Sequence, residues 1–113
     1  NNGNSNLTNY GSSLVNGDAK TKNVYSKAST DNNTNNYNAN SSKYGDAVYE
    51  TSTSGSGSTS WYGDHSYFPS TGSPFFDRGG YYDNGTGAGV FYFDDGNGFS
   101  YSDGSFRPVL VAL

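Results

Sequence analysis

Apolar positions are spread unevenly along this chain, and their spacing divides it into three regimes. Residues 1–42 are dominated by Asn, Ser, Thr and Gly, with Leu14-Val15 and Val24-Tyr25 as short apolar anchors. Asn and Ser side chains bond nearby backbone and favour turns over helices and ladders. The expectation is an irregular, surface-laid segment with a short strand near Asn23–Ser26. Residues 43–54 (KYGDAVYETSTS) carry the best helix signal, with Asp46 as a cap before Ala47, Val48 and Glu50. One or two turns are expected, too few to stand alone. Residues 55–60 (GSGSTS) read as a flexible connector.

From Trp61 onward the pattern changes to rings set among Gly and Pro. Trp61, Tyr67, Phe68, Phe75 and Phe76 predict an aromatic-rich loop pinned by core rings and by Pro69 and Pro74. Candidate strands follow at Gly89–Phe93, at Phe99–Ser102 and at Ser105–Val111, with Val90, Phe91 and Phe93 as the β-formers. Asp83-Asn84-Gly85, Asp95-Gly96 and Asp103-Gly104 are turn signals between them. Pro108 marks an edge or a bulge in the last strand. Strand alternation puts Phe91 and Phe93 on one face and Tyr92 on the other. The fold class predicted is α+β and loop-rich, with a small antiparallel sheet, long irregular loops and little helix.

Composition changes that picture in one respect. Only 31% of the 113 residues are hydrophobic, yet 17% are aromatic, with eleven Tyr and seven Phe. Each ring buries on the order of 150–250 Å², so a modest core is within reach. Charged residues make up 14%, and a chain low in charge and rich in rings is expected to fold. The net charge of −4 argues against nucleic acid, whose binders cluster Lys and Arg, and against anionic membranes. No apolar run approaches the roughly 20 residues of a bilayer span, so direct membrane insertion is not expected. The chain has no Cys, which excludes disulfides and thiolate metal sites. It has no Met either, so a piece of a longer or processed product is expected, with any export signal or anchor upstream.

Candidate chemistry is sparse. His65 is the one histidine, with Asp64 beside it, and no Gly-x-Ser-x-Gly nucleophile elbow accompanies them. An exposed loop histidine is the expected reading. Asp94-Asp95-Gly96-Asn97-Gly98 and Asp83-Asn84-Gly85 hold oxygen ligands suited to calcium, but neither completes an EF-hand. Hairpin turns are the favoured reading; no cofactor is expected, and a structural calcium is the minor alternative. The strings GGYYDNG and GTGAG lack the strand–helix setting and Lys of a phosphate loop. Arg78 and Arg107 are the two arginines, each expected to be a largely buried hub bonding loop carbonyls and a carboxylate. Asp46, Glu50 and Asp77 are the candidate partners.

Arg78-Gly79-Gly80, then Ala88-Gly89-Val90-Phe91, then Ser105-Phe106-Arg107 together resemble the C-terminal half of the formylglycine-generating-enzyme-like branch of the C-type-lectin fold. That branch shows Arg-Gly-Gly-Ser-Trp and, later, Gly-Phe-Arg. Within it the chain is most similar to variable proteins of diversity-generating retroelements. Lys43-Tyr44-Gly45-Asp46-Ala47 through Glu50-Thr51, and Trp61 to Pro69, extend the likeness over residues 43–113. The resemblance therefore implies two regions: an Asn/Ser-rich irregular segment (1–42) and the C-terminal part of a C-type-lectin-like variable domain (43–113). The family's upstream Gly-Asn-x-Trp-Glu-Trp-like segment is absent, as are the cysteines of its oxidases, so their chemistry is not expected here.

The resemblance implies a fixed frame and a diversified surface. Adenine-directed mutagenesis of Asn codons yields Tyr, Asp, Ser, Gly, Thr, His and Phe, and the positions between the frame residues are all Asn or reachable from it. The frame comprises Arg78, Gly79, Gly80, Phe91, Phe93, Phe106 and Arg107, with Val90 and Val109–Val111 also read as scaffold. The ligand-binding surface comprises Tyr62, His65, Tyr81, Tyr82, Asp83, Asn84, Thr86, Tyr92, Asp94, Asp95, Asn97, Phe99, Tyr101 and Asp103. The residues point the same way by themselves: Tyr gives large amphipathic area at low rotamer cost, and Ser, Gly, Asn and Asp give adaptable hydrogen bonds, as in antibody paratopes. The expected function is non-catalytic ligand binding, by a domain displayed extracellularly, on a cell surface or on a phage virion. The expected partner is a protein or glycan on another surface, with self-association or a companion N-terminal half also open. The alternative is a structural subunit or cap of an extracellular or phage-tail assembly.

Overall fold

The computed structural model describes residues 23–43, 46–99, 101 and 102. Their elements are helix α1 (Asn33–Ala39), helix α2 (Ala47–Thr51), strand β1 (Phe75–Arg78) and strand β2 (Phe93–Gly96), with 3₁₀ turns at Trp61–Gly63 and Gly85–Gly87. This is a small α+β arrangement with little helix and a two-stranded antiparallel sheet. Leu14-Val15, Asp103, Phe106, Arg107 and the strand expected at Ser105–Val111 lie outside the described residues.

Helix α1 lies within the segment expected to be irregular. Its sequence, NTNNYNA, has poor intrinsic propensity, and seven residues are too few to hold a helix in water. Helical spacing, however, sets Asn33, Asn36, Tyr37 and Asn40 along one side. The Asn36 amide accepts from Ala28 N–H at 2.8 Å and donates to Asp31 Oδ1 at 2.8 Å and Pro69 O at 3.0 Å. Asn40 accepts from Ser26 N–H and donates to Ser26 O, both at 2.8 Å, and to Asn36 O at 2.7 Å. Asn33 donates to Phe68 O at 2.6 Å and Asp95 Oδ2 at 2.8 Å. Asn32 caps the helix by accepting from Asn35 N–H. Tertiary amide bonds, rather than propensity, make this helix. They also account for the missing strand near Asn23–Ser26: the Asn40 side chain meets Ser26 with one donor and one acceptor, doing the work of a neighbouring strand's peptide group.

Helix α2 is capped as its sequence predicts, with Asp46 Oδ1 accepting from Val48 N–H at 3.1 Å. The same carboxylate accepts from the Tyr25 hydroxyl through Oδ2 and lies 3.7 Å from Arg78 Nη2. Arg78 thus finds an expected partner, but its side chain is 49% exposed. It sits at the end of β1 with its guanidinium over the Phe76 ring, which corrects the expectation of a buried hub.

The core joins both parts of the chain. Tyr25, Tyr37, Val48, Phe68 and Phe93 are buried together, with Tyr49 and Phe76 packed against them. Phe68, wholly buried, meets Tyr25, Tyr37 and Phe76 edge-on at centroid distances of 5.0, 5.8 and 5.1 Å. Such pairs are favoured by the ring quadrupole. Gly55 makes this closeness possible, because a Cβ there would lie 2.5 Å from Tyr37 Cβ and 2.8 Å from Phe68 Cβ.

The sheet departs from expectation in register and partner. β1 falls in a stretch expected to be loop, and β2 begins at Phe93, where the candidate strand Gly89–Phe93 was expected to end. Phe75 pairs with Gly96 and Arg78 with Phe93, so Asp95-Gly96 is ladder rather than turn. On its other side, Phe93 N–H donates to His65 O at 3.1 Å and Phe93 O accepts from Tyr67 N–H at 3.0 Å. Residues 89–91 are turn, and Phe99, Tyr101 and Ser102 lie outside any strand. The strands are joined by the long connection 79–92, which includes the expected turn at Asp83-Asn84-Gly85.

Two outcomes follow. Asn36→Ala should lower stability by about 2–4 kcal/mol, the cost of orphaning buried polar partners, while Asn38→Ala on the exposed side of α1 stays within about 0.5 kcal/mol; paired denaturant melts check this. Burial raises the Tyr25 and Tyr49 phenols above their ordinary value, with the Asp46 hydrogen bond adding to Tyr25. Their contribution to stability is therefore complete below about pH 10 and lost as pH rises further, because the unfolded chain ionises first. Near-ultraviolet dichroism should collapse together with the appearance of their tyrosinate absorbance; ionisation of both rings in a still-folded chain would contradict this.

Candidate functional site

The residues that the fold gathers at its surface are carried by two facing turns. In the first, Ser60 O accepts from Gly63 N–H at 3.0 Å and Trp61 O from Asp64 N–H at 3.3 Å. Tyr62 stands at φ 62°, ψ 13°, and Gly63 follows at φ 78°. Left-handed backbone costs a non-glycine residue roughly 1–2 kcal/mol, and Tyr62 is the one non-glycine among the described residues that adopts it. In the second turn, Tyr92 N–H donates to Gly89 O at 3.1 Å, lifting Val90 to 83% exposure.

Asp64 ties the two turns together. Its carboxylate, only 3% exposed, accepts from Phe91 N–H at 2.8 Å. A Cβ on Gly89 would lie 2.1 Å from both Asp64 oxygens, so only glycine lets the second turn close over the first. At the start of the first turn, the buried Ser60 hydroxyl has no hydrogen-bond partner among the described residues. Above them Phe91 stands between two rings. Trp61 meets it edge-on at 5.1 Å and Tyr62 lies nearly parallel at 6.0 Å and 15°. Trp61 remains 55% exposed and Tyr62 92%. The result is a ridge of Trp61, Tyr62, Val90 and Phe91.

Only Tyr62 of this ridge was expected in the binding surface. Trp61 was expected in the core, and Val90 and Phe91 in the frame. Phe91 lies outside any strand and packs on exposed rings rather than under the sheet. The available signal was the pair of Gly-flanked motifs, Trp61-Tyr62-Gly63 and Gly89-Val90-Phe91; nothing in the sequence says that Asp64 joins them.

The other expected residues fall into separate groups. His65 is half-buried, its ring 4.5 Å from that of Tyr67 and 5.3 Å from that of Tyr92, with Nε2 3.5 Å from Asp94 Oδ1. Asp64 therefore does not orient His65. Tyr92 was expected at the ligand surface but is 6% exposed. Burial raises its phenol, with the bond to Asp94 Oδ2 at 2.9 Å adding to the effect. Asp95 points the opposite way from Asp94, as strand alternation requires, and accepts from Asn33. Burial raises its carboxyl above the ordinary range, against the lowering effect of Asn33. Neither Tyr92 nor Asp95 belongs to an exposed binding surface. Tyr81, Tyr82, Asp83, Asn84 and Thr86 occupy the connection between the strands, with Tyr82 83% exposed and its ring 5.7 Å from Tyr81. His65 N–H holds that loop through Gly87 O at 3.0 Å. Phe99 and Tyr101 are exposed, and Asn97 Oδ1 accepts from Phe99 N–H at 3.0 Å and Tyr101 O–H at 3.2 Å. Of the expected frame glycines, Gly80 sits tightly beneath Ala88 O and Gly79 adopts φ 91°.

Among the described residues no group of three or more His, Asp or Glu side chains is placed to hold a metal ion, and none of their helices is long and apolar enough to cross a membrane.

Gly89→Ala should cost about 1–3 kcal/mol by overpacking and shift the emission of Trp61, the chain's single tryptophan. Adding Asp64→Ala should recover part of that loss, since the clash is with the carboxylate; strictly additive losses in the double-mutant cycle would place the strain elsewhere. With the geometry established, comparison with known proteins adds no relative: no family model, no curated protein and no solved structure matches this chain.

Proposed function

We propose that this chain is a non-catalytic ligand-binding domain, displayed outside a cell or on a phage particle, whose loops present aromatic rings to a partner. One observation carries the reading: Tyr62 is held in left-handed backbone while its ring stays 92% exposed. A core gains nothing from that conformation. A surface that must present a ring face to a partner does, because a positioned ring loses little rotamer freedom on binding. The exposed rings of Tyr82, Phe99 and Tyr101 on neighbouring loops support the same reading.

The finer assignment belongs to the same proposal. The long connection 79–92, rich in Gly and Tyr, between two paired strands is consistent with a variable domain of the C-type-lectin type. Flanking DNA that encodes a reverse transcriptase and a near-copy of residues 78–107 enriched in Asn codons would support that assignment; flanks carrying neither remove it.

Tyr62→Gly separates binding from folding. Glycine suits the left-handed turn, so stability should stay level or rise by up to about 1 kcal/mol. Panels of displayed peptides and immobilised glycans that retain the native chain should lose it on this substitution, and on the joint replacement of Tyr81, Tyr82 and Tyr101 by Ser. A drop in melting temperature with retention unchanged would make the rings structural and overturn the reading.

A further inference from the structure

We infer that the ridge formed by Trp61, Tyr62 and Phe91 receives a basic protein segment, seating an arginine or lysine side chain on the free faces of Tyr62 and Trp61. This rests on the ligand-binding reading above and gives the ligand its chemistry.

The first support is the charge under the rings. Asp64 is 3% exposed and accepts a hydrogen bond from Phe91 N–H. Among the described residues its carboxylate has no cationic partner, the ion pairs there being His65–Asp94 and Arg78–Asp46. A buried carboxylate without a counter-ion is costly, and its field is poorly screened by the surrounding protein. That field emerges at the two turns that carry the rings. The cation cannot touch Asp64 itself; it is attracted through the thin layer of ring and backbone above it.

The second support is the rings. Aromatic faces carry negative potential, and Trp and Tyr are the best seats for a cation. Tyr62 already lies parallel to Phe91 on one side, leaving its other face to a guanidinium, which is planar and weakly hydrated. The third support is the scarcity of cations in the described stretch that carries the rings. Between residues 61 and 102 the chain carries Asp64, Asp77, Asp83, Asp94 and Asp95 against Arg78 alone, and Arg78 is engaged by Asp46 and the Phe76 ring. A neutral sugar would stack on Tyr62 but leave the Asp64 charge unanswered. Nucleic acid would be repelled.

Trp61 emission reads this site alone, because no other tryptophan contributes. The chain is titrated at physiological salt with hexa-arginine, and in parallel with hexaglutamate and cellohexaose. Hexa-arginine should give a saturable change and the other two none. Tyr62→Gly should weaken the hexa-arginine response roughly threefold or more, the worth of an exposed cation–π contact. Asp64→Asn should weaken it as well, while Asn keeps an acceptor for Phe91 N–H; should that variant melt early, Tyr62→Gly decides alone. An undiminished response in Tyr62→Gly would mean bulk attraction to a negative chain and overturns the proposal, as does the absence of any hexa-arginine response. A cellohexaose response matching that of hexa-arginine overturns it too, yet leaves the ligand-binding reading standing. That broader reading fails separately, on panels that do not distinguish Tyr62→Gly from the native chain.

Discussion

The fold depends on side-chain amides acting as backbone. Asn33, Asn36 and Asn40 project from one short helix and reach residues 26–28, residues 68–69 and strand β2. A chain with so few aliphatic residues cannot rely on burial alone to fix its segments. An amide offers both donors and an acceptor, so each Asn can satisfy peptide groups that no strand or helix reaches. In the low dielectric beneath Phe68 these bonds are stronger than in water, and an unmade one is correspondingly costly. This explains how a seven-residue helix of poor formers persists and how Tyr25 is held against the Phe68 ring.

The same economy recurs at the surface. Asp64 connects two turns with one backbone hydrogen bond, and Gly89 leaves the space for it. The strained Tyr62 is tolerated because the turn around it is closed by bonds on either side and by contact with Phe91. Local strain of this kind persists only where neighbours over-determine it. The aromatic ridge is therefore a consequence of two turns locking together, not of a strand presenting alternate residues.

Some of this was legible residue by residue. The cap at Asp46, the turn at Asp83-Asn84-Gly85 and the α+β class follow from local rules, since a cap or turn depends on a few neighbours. The exposed tyrosines Tyr62, Tyr82 and Tyr101 were also legible from paratope-like composition. Helix α1 was not, because its asparagines are poor helix formers and their partners lie up to 62 positions away in sequence. Phe75–Arg78 was read as loop because four residues flanked by Pro and Gly carry no alternation; only Phe93–Gly96 across the sheet makes them a strand. Tyr92 and Asp95 look like exposed residues in sequence; Tyr92 is covered where it stacks on His65 and bonds Asp94, and Asp95 where β2 turns it toward Asn33.

Sequence alone therefore determined what each short stretch could do: cap, turn, stack or hydrogen-bond. It also determined that rings and amides, rather than aliphatic bulk, would have to build the core. Tertiary structure decided which aromatic residues are buried. It sent Tyr25, Tyr37, Phe68 and Phe93 inward and left Trp61, Tyr62 and Tyr82 outside. The physical reason is that a tyrosine suits either environment, its ring favouring burial and its hydroxyl favouring water. The choice falls to whatever donor, acceptor or ring the fold brings beside it.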